Sequence, residues 1–196
     1  AGARATRRLP GHLRDALEAR ARQGASSLFS LCLAAYARLL ARLSGQHDLV
    51  VAIFSAGQPE LAASALVGYC VGVLPVRIAA EPTLPDAQLL AAVQRAVAQA
   101  MAHRDYPFAR LVKALGLRRD PARPPLASVS FNLDRMDEPP RFAGLETTMD
   151  ANVHGAVRWD LNWNMQADPD GLRIDAHYNR DLFDAARIEG WLDLYA

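Results

Sequence analysis

Three consecutive residues, His103, Arg104 and Asp105, carry the side chains of an acid and base site. They spell the HRD of a kinase catalytic loop, but a kinase also needs a glycine-rich loop, a DFG and an asparagine five residues after the aspartate. The sequence contains none of these three features. As a bare acid and base, His103 and Asp105 suit proton transfer. A histidine that ends a helix more often interacts with the last carbonyls of that helix, so we predict a structural role for this pair.

The segment IFSAG holds part of a nucleophile elbow around Ser55. The elbow needs a glycine two residues before the serine for its sharp turn, and Ile53 stands at that place. We therefore interpret Ser55 as a serine at the end of a strand. The histidines and cysteines lack metal-ligand spacing, and the chain has no glycine-rich phosphate loop. The sequence predicts no metal site, no directly bound cofactor and no self-sufficient catalytic machinery.

Two neighbouring segments near the end of the chain alternate apolar and polar residues, which predicts two strands with one polar face. The polar set is Asp160, Asn162 and Asn164 on the first segment and Asp175, His177 and Asn179 on the second. This face suits a polar ligand, but a solvated sheet face is the simpler interpretation. Trp159 and Trp163 alternate with the polar set, and we predict that they belong to the core rather than to a stacking site.

Hydrophobic periodicity predicts the elements that position these residues. Helices are expected over 11–23, from Ser26 or Ser27 to about Leu43, over 86–103, as a short helix from Pro107 that stops at Gly116, and after Asp184. Strands are expected over 48–57, 66–78, 126–133, 157–166 and 172–178, with DPDG as the turn of the last hairpin. The predicted fold class is α/β or α+β, with a mixed β-sheet flanked by helices.

The chain has 196 residues, 51% of them hydrophobic and 22% charged, which is typical of a folded globular chain. Its net charge of +1, without a basic stripe, argues against nucleic-acid binding. The longest apolar stretch, 28–37, is too short to span a bilayer, and no signal-peptide pattern opens the sequence. We expect a cytoplasmic protein without a membrane partner, in which Cys32 and Cys70 are buried free thiols.

Six segments resemble, in order, motifs from the C-terminal half of nonribosomal peptide synthetase condensation domains. SGQHDLVVAIFSAGQ is similar to SGQxDxVVGxPxAGR, LVGYCVGVLPVR to IGFFVNTLPLR, and HRDYPF to HQDxPFE. RDPARPPL is similar to RDxSRNPL, SVSFNL to xVMFNL, and YNRDLFDAARIEGW to YNTDLFDxxTIxRW. The chain is therefore identified as a member of this family, which has the two-lobe chloramphenicol acetyltransferase-like fold.

The resemblance implies a tunnel between two lobes, into which donor and acceptor carrier proteins deliver thioesters on phosphopantetheine arms. The acceptor amine attacks the donor thioester and forms an amide. The family's histidine motif, HHxxxDG, belongs to the N-terminal lobe and occurs nowhere in these 196 residues. We therefore expect residues 1–196 to be the C-terminal lobe, to partner the N-terminal lobe and both carriers, and to be inactive alone.

Motif position also assigns roles to residues. Tunnel positions are Gly72, Val73, Ser130 and Asn132, and the family has asparagine and threonine at the first two. Structural motif positions are His103, Asp105, Arg119, Asp120, Tyr178 and Asn179. The glycine removes any side-chain contact made at position 72, and it leaves more room for a donor.

Two other interpretations of the same resemblance stay open. One is a noncatalytic relative that docks carrier proteins or recruits another enzyme, and Gly72 is its best support. The other is an epimerising relative of the same fold, which moves a proton at the α-carbon. The LPVR and RDPARPPL segments favour condensation over epimerisation.

Overall fold

A computed structural model describes residues 1–56, 68–117, 120–121, 123–135, 142–147, 155–168 and 170–196. Within these ranges the strands are β1 (Gly2–Pro10), β2 (Asp48–Ala56), β3 (Val71–Ala79), β4 (Val129–Arg135), β5 (Leu161–Asp168) and β6 (Gly171–Asn179). The helices are α1 (Gly11–Gln23), α2 (Leu28–Ser44), α3 (Asp86–Ala102), α4 (Phe108–Ala114) and α5 (Ala185–Tyr195).

The strands form one mixed sheet in the order β1-β6-β5-β4-β2-β3. Strand β4 is parallel to both of its neighbours, β2 and β5, while the other pairs are antiparallel. The predicted final hairpin is present, with Asp168 opposite Gly171 at its turn. The predicted fold class, a mixed sheet with helices, is confirmed.

Helices α1, α2, α3 and α5 pack on one side of the sheet, which we call the covered face. Its centre is an aromatic cluster, in which the rings of Tyr36 and Trp163 stack with centroids 5.2 Å apart and Phe131 lies 5.8 Å from Tyr36. Leu33 of α2 and Ile188 of α5 are fully buried in the same core. The prediction that Trp163 belongs to the core is confirmed.

The ends of two covering helices follow their predicted signals. The Ser27 hydroxyl accepts a hydrogen bond of 3.0 Å from the backbone N–H of Ser30 and caps α2. Gly45 ends the same helix in the left-handed conformation, with φ of 68°. The Asp184 carboxylate accepts from the backbone N–H of Arg187 at 2.7 Å and caps α5.

Strand β1 does not follow from the sequence pattern, which predicts no strand before residue 11. It pairs antiparallel with β6 over its whole length, from Gly2 opposite Asn179 to Pro10 opposite Gly171. Its inward positions are Ala3, Ala5, Arg7 and Leu9, and two small residues and an arginine make the alternation of apolar residues weak. The strand is stabilised by its long-range partner, which a local pattern does not reveal.

Both cysteines are free, but only one of them is buried as predicted. Cys32 lies in the core, whereas Cys70 is half-buried because it precedes β3 rather than lying inside it. No single helix within the described ranges is long and apolar enough to cross a bilayer. Helices α1 and α2 reach that threshold only as a pair, and they bend by 102° at their break.

Candidate functional site

The other side of the sheet, which we call the open face, carries the side chains that alternate with the covered core. Its members include Asp48, Val50, Ala52 and Phe54 of β2, Val73 and Arg77 of β3, Ser130, Asn132 and Asp134 of β4, Asn162 and Asn164 of β5, Arg173, Asp175 and His177 of β6, and Arg4 and Thr6 of β1. Across the sheet this face changes from mostly apolar, with an exposed Asp48–Arg77 ion pair at one corner, through serine and amide side chains, to charged.

The apolar end of the open face is a small cluster around Trp159. The indole is 7% exposed and packs with Ala52, while Phe54 and Val73 lie half-buried beside it. The rings of Phe54 and Trp159 meet edge to face, with centroids 6.2 Å apart. Trp159 is therefore a core residue as predicted, but of a second and smaller cluster.

The middle of the open face carries serine and amide side chains on two parallel strands, and the exposed Asp134 carboxylate follows them near the end of β4. The Asn132 amide donates to Asn164 Oδ1 at 3.0 Å and to Asp134 Oδ2 at 2.8 Å. Ser130 and Asn162 face each other in the register. Their buried Oγ and Oδ1 atoms have no hydrogen-bond partner among the described residues. Leaving a buried polar atom without a hydrogen bond costs free energy. Ser130 Oγ and Asn162 Oδ1 are therefore available to hydrogen-bond a ligand.

The charged end of the open face is organised by Asp175, which is 1% exposed. Its Oδ1 accepts from the Thr6 hydroxyl at 2.7 Å and from Arg173 Nε at 3.2 Å. Its Oδ2 lies 3.0 Å from Arg173 Nη2, and Arg4 Nε lies 3.9 Å from Oδ1. A buried carboxylate is tolerated only with such partners. The polar face predicted from the sequence is thus a packed ionic network at this end, rather than a simply solvated surface.

A cleft of about 270 Å³ opens beside Trp159, with Phe108, Arg123 and Arg158 among its lining residues. The Arg158 guanidinium lies 5.6 Å from the centroid of the indole ring. Burial raises the pKa of Asp160, and the positive charge of Arg123 partly offsets that rise. This edge of the open face therefore combines an aromatic ring with two positive charges.

The four predicted tunnel positions divide between the two faces. Val73, Ser130 and Asn132 lie on the open face, whereas Gly72 lies on the covered face, directly opposite Ser55 in the β2–β3 register. A Cβ atom added at Gly72 would lie 2.8 Å from Ser55 Oγ. The structure therefore brings Gly72 together with a serine that the motif resemblance does not select.

The predicted structural positions lie at turns and in the core. His103 ends α3, where its backbone N–H donates to the carbonyl of Ala100 at 3.1 Å, and its side chain is exposed like that of Asp105. The Asp120 carbonyl accepts from the N–H of Arg123 at 3.3 Å. Arg119 lies outside the described residues.

The last two structural positions lie at the end of β6. Tyr178 is 4% exposed and belongs to the covered core. Asn179 Oδ1 accepts from the backbone N–H of Asp181 at 3.1 Å, and the Asn179 N–H donates to the Asp160 carbonyl at 3.0 Å. Both residues tie the end of β6 to the segments around it. Among the described residues, no group of three His, Cys, Asp or Glu side chains is arranged to hold a metal ion.

The part of the open face that β1 supplies was not predicted from the sequence. Arg4 and Thr6 contact Asp175 only because β1 pairs with β6 across the whole chain. The alternation of Ala3, Arg4, Ala5 and Thr6 was the one local signal for this strand.

Comparison with known families assigns the chain to a family. The family model of the condensation domain matches residues 1–196, the whole chain. This chain belongs to the condensation-domain family. Amide-bond formation is the general function of such domains in nonribosomal peptide synthetases. The recognition made from the sequence motifs is therefore confirmed at the level of the family.

Among curated relatives, tyrocidine synthase 3 of Brevibacillus parabrevis is 34% identical over 178 residues, which are 90% of this condensation-domain chain and 3% of that synthase. Malpibaldin synthetase of Mortierella alpina is 31% identical over 198 residues, covering 98% of this chain and 4% of that synthetase. The chain thus spans a small part of the relatives it matches.

Solved structures show the same fold. The X-domain in the complex of the X-domain and OxyB from teicoplanin biosynthesis has a TM-score of 0.88 and 24% identity, and the match covers 100% of this chain and 44% of that chain. The first condensation domain of the CDA synthetase has a TM-score of 0.80 and 22% identity, and the match covers 100% of this chain and 43% of that chain.

Proposed function

We propose that this chain is the C-terminal lobe of a condensation domain and takes part in joining two carrier-bound thioesters through an amide bond. The donor is an acyl or peptidyl group and the acceptor is an aminoacyl group. The observation that carries the proposal is the condensation-domain match over residues 1–196. The absence of an HHxxxDG motif from the sequence limits the role of these residues to binding and positioning.

In the proposed reaction, the acceptor amine attacks the donor thioester carbonyl. A C–N bond forms, the C–S bond breaks, and the proton lost by the amine balances the proton taken up by the departing thiolate. A histidine of the second lobe would orient or deprotonate the amine. This chain would hold both reactants in register, and positioning alone lowers such a barrier by about 7–11 kcal/mol in favourable cases.

The open face suits this role because the buried and half-buried polar side chains at its middle carry no charge. Ser130, Asn132 and Asn162 offer hydroxyl and amide groups at half-buried or buried positions. These groups match the amides and carbonyls of a phosphopantetheine arm or a peptidyl donor. The apolar cluster around Trp159 offers adjacent surface for an acyl chain. The proposal needs no cofactor bound by this chain, since the arms arrive on donor and acceptor carrier proteins, and it places the reaction in the cytoplasm.

The test is amide formation between two loaded carrier proteins, followed by mass spectrometry. We expect product from the complete protein that includes this chain. No product is expected from the 196 residues alone, or from the complete protein with its motif histidine replaced by alanine. His12→Ala is the matched control, because His12 is exposed on α1, away from the open face. Product formed by the 196 residues alone would contradict the assignment of catalysis to the other lobe.

A second candidate is a noncatalytic domain that recruits another enzyme. Two observations favour it: Gly72 stands at a position where the family has asparagine, and an X-domain in complex with OxyB shares the fold with a TM-score of 0.88. In the same assay, a complete protein that is inert with every loaded carrier pair supports recruitment over condensation.

A further inference from the structure

One position in the middle of the open face departs from the motif that this chain resembles. The segment SVSFNL is similar to xVMFNL, and Ser130 stands where that motif has methionine. The register places the Ser130 side chain between Ala52 of β2 and Asn162 of β5. A long apolar side chain is thus replaced by a short hydroxyl, so the face loses bulk and gains a polar atom at this point.

Two buried polar atoms without partners meet at this position. Ser130 is 0% exposed, and its Oγ has no hydrogen-bond partner in the part of the chain that the structure describes. Within the same part of the chain, the buried Asn162 Oδ1 atom is also unmatched. Native structures seldom leave one such atom unmatched, so two in one register pair need an explanation.

The unmatched pair is a local feature of the two strands. The next pair along them on the same face is Asn132 and Asn164. There the Asn132 amide donates to Asn164 Oδ1 at 3.0 Å, so the two side chains satisfy each other. Ser130 and Asn162 do not form the corresponding bond, which leaves both of them free for a ligand.

The neighbours of the pair define the ligand. Ala52 is fully buried against Trp159, so one side of the pair is apolar and uncharged. The Ser130 hydroxyl both donates and accepts, whereas Asn162 Oδ1 only accepts. An uncharged group that donates one hydrogen bond and accepts another therefore satisfies both atoms, and it does so with the Asn162 amide in either orientation. A hydroxyl or a primary amide is such a group, and an aliphatic chain is not.

We propose that Ser130 and Asn162 bind a hydroxyl or primary amide group on the acyl chain or side chain of a carrier-bound substrate. The inference rests on the proposed function and narrows its substrate class. Asn162 is half-buried, so its amide extends from the buried Oγ to the surface, and its rotation admits the group. A methionine at position 130, as in the motif, would fill this place with apolar atoms and would favour an aliphatic substrate.

The test compares probes that differ by one polar group. The probes are pantetheine amides, which are non-hydrolysable analogues of the loaded arm. Norleucyl is matched with glutaminyl, and hexanoyl with hexanoyl chains hydroxylated at successive carbon atoms. Titration calorimetry with the complete protein measures each Kd. The best polar probe should bind about fivefold more tightly than its apolar partner, as expected for one net hydrogen bond. Ser130→Ala should abolish this preference, and Ser130→Met should reverse it.

The thermal midpoint distinguishes a ligand site from a structural role of the hydroxyl. Ser130→Ala should keep or raise the midpoint, because it removes a hydroxyl that has no partner. Ser44→Ala, at the exposed end of α2, is the control and should keep the preference. A Ser130→Ala protein that keeps the preference overturns the proposed contact. If its midpoint also falls, an internal water rather than a substrate uses the two atoms. If Ser130→Met does not fold, Ser130→Ala decides alone.

Failure of this inference is distinguishable from failure of the proposed function. Amide formation by the complete protein, without a preference among the probes, overturns the inference alone. A preference that Ser130→Ala abolishes, in a protein that forms no amide, contradicts condensation and leaves the binding site standing. If no probe binds, the inference fails together with the proposed binding of the arm.

Discussion

The covered face of the sheet buries aliphatic and aromatic side chains under four helices, whereas the open face keeps serine, asparagine and paired charges at buried and half-buried positions. The covered face follows the usual rule for a sheet packed on helices. The open face is neither a second hydrophobic core nor a fully solvated surface. Polar groups held in place, but not fully matched, are what a surface needs if it is to recognise a partner or a substrate arm.

The largest expected difference between the two faces comes from two matched phenylalanines. Phe131 on the covered face is 0% exposed and contacts the rings of Phe29 and Tyr36. Phe131→Ala should lower the free energy of unfolding by about 3–5 kcal/mol, because it leaves a cavity in the core. Phe54→Ala on the half-buried open face should lower it by about 1–2 kcal/mol. Urea unfolding measures the free energy of unfolding of both variants. Equal decreases would contradict the proposed difference in burial between the two faces.

The ionic network on the open face supplies the next test. Asp175→Asn should lower the free energy of unfolding by about 3 kcal/mol, because it leaves the charge of Arg173 without its carboxylate. The matched control is Asp48→Asn, which breaks an exposed pair with Arg77 and should give no resolvable change. If Asp175→Asn behaves like Asp48→Asn in urea unfolding, the charged end of the open face is not a packed network.

Burial of a thiol on the covered face makes stability depend on pH. Burial raises the pKa of Cys32 to about 12 from an ordinary value of 9.0. A raised native pKa means that stability is fully present below pH 9 and is lost as pH rises from 9 toward 12. We expect a loss of about 1 kcal/mol between pH 9 and pH 10, because half of the unfolded-state thiol is already ionised at pH 9.

The measurement is urea unfolding at both pH values, with Cys32→Ala as the control for the other buried groups, since burial also raises the pKa of Tyr36 and Tyr195. The variant should lose less stability over this interval. An identical loss in the variant and in the unmodified protein would show that Cys32 does not titrate in this way.

The smallest effect is expected at the capped end of a covering helix. Asp184→Ala removes the side chain that caps α5 and should lower the free energy of unfolding by about 1 kcal/mol. Asp184→Ser retains a capping oxygen and should stay within a few tenths of a kcal/mol of the unmodified protein. Thermal unfolding of the two variants distinguishes loss of the cap from loss of charge.

Much of this architecture was predictable because its signals are local. The apolar spacing of α2, the caps at Ser27 and Asp184, and the alternation of the final hairpin depend on neighbours in sequence. The register of that hairpin places Asn162 opposite His177 and Asn164 opposite Asp175, as the alternation of polar residues predicts.

The remaining features depend on distant pairing. Strand β1 exists through its contact with β6, about 170 residues away, and its inward pattern of two alanines, an arginine and a leucine is too weak to indicate it. The pairing of Ser55 with Gly72 depends on the β2–β3 register, which no motif position reveals. Motif position groups Gly72 with Ser130, yet the period of two along each strand puts position 72 on the covered face and the Ser130 side chain on the open face.

The most direct test of the account is disulfide capture on the open face. A carrier protein whose phosphopantetheine thiol is activated as a mixed disulfide is reacted with the complete protein carrying Asn132→Cys, in a Cys70→Ser background. Leu133→Cys is the matched control, since Leu133 is also half-buried but points to the covered face. If the open face receives the carrier-bound arm, Asn132→Cys should couple at least about tenfold faster than Leu133→Cys, because delivery raises the local thiol concentration. Equal coupling rates at the two positions would contradict the account.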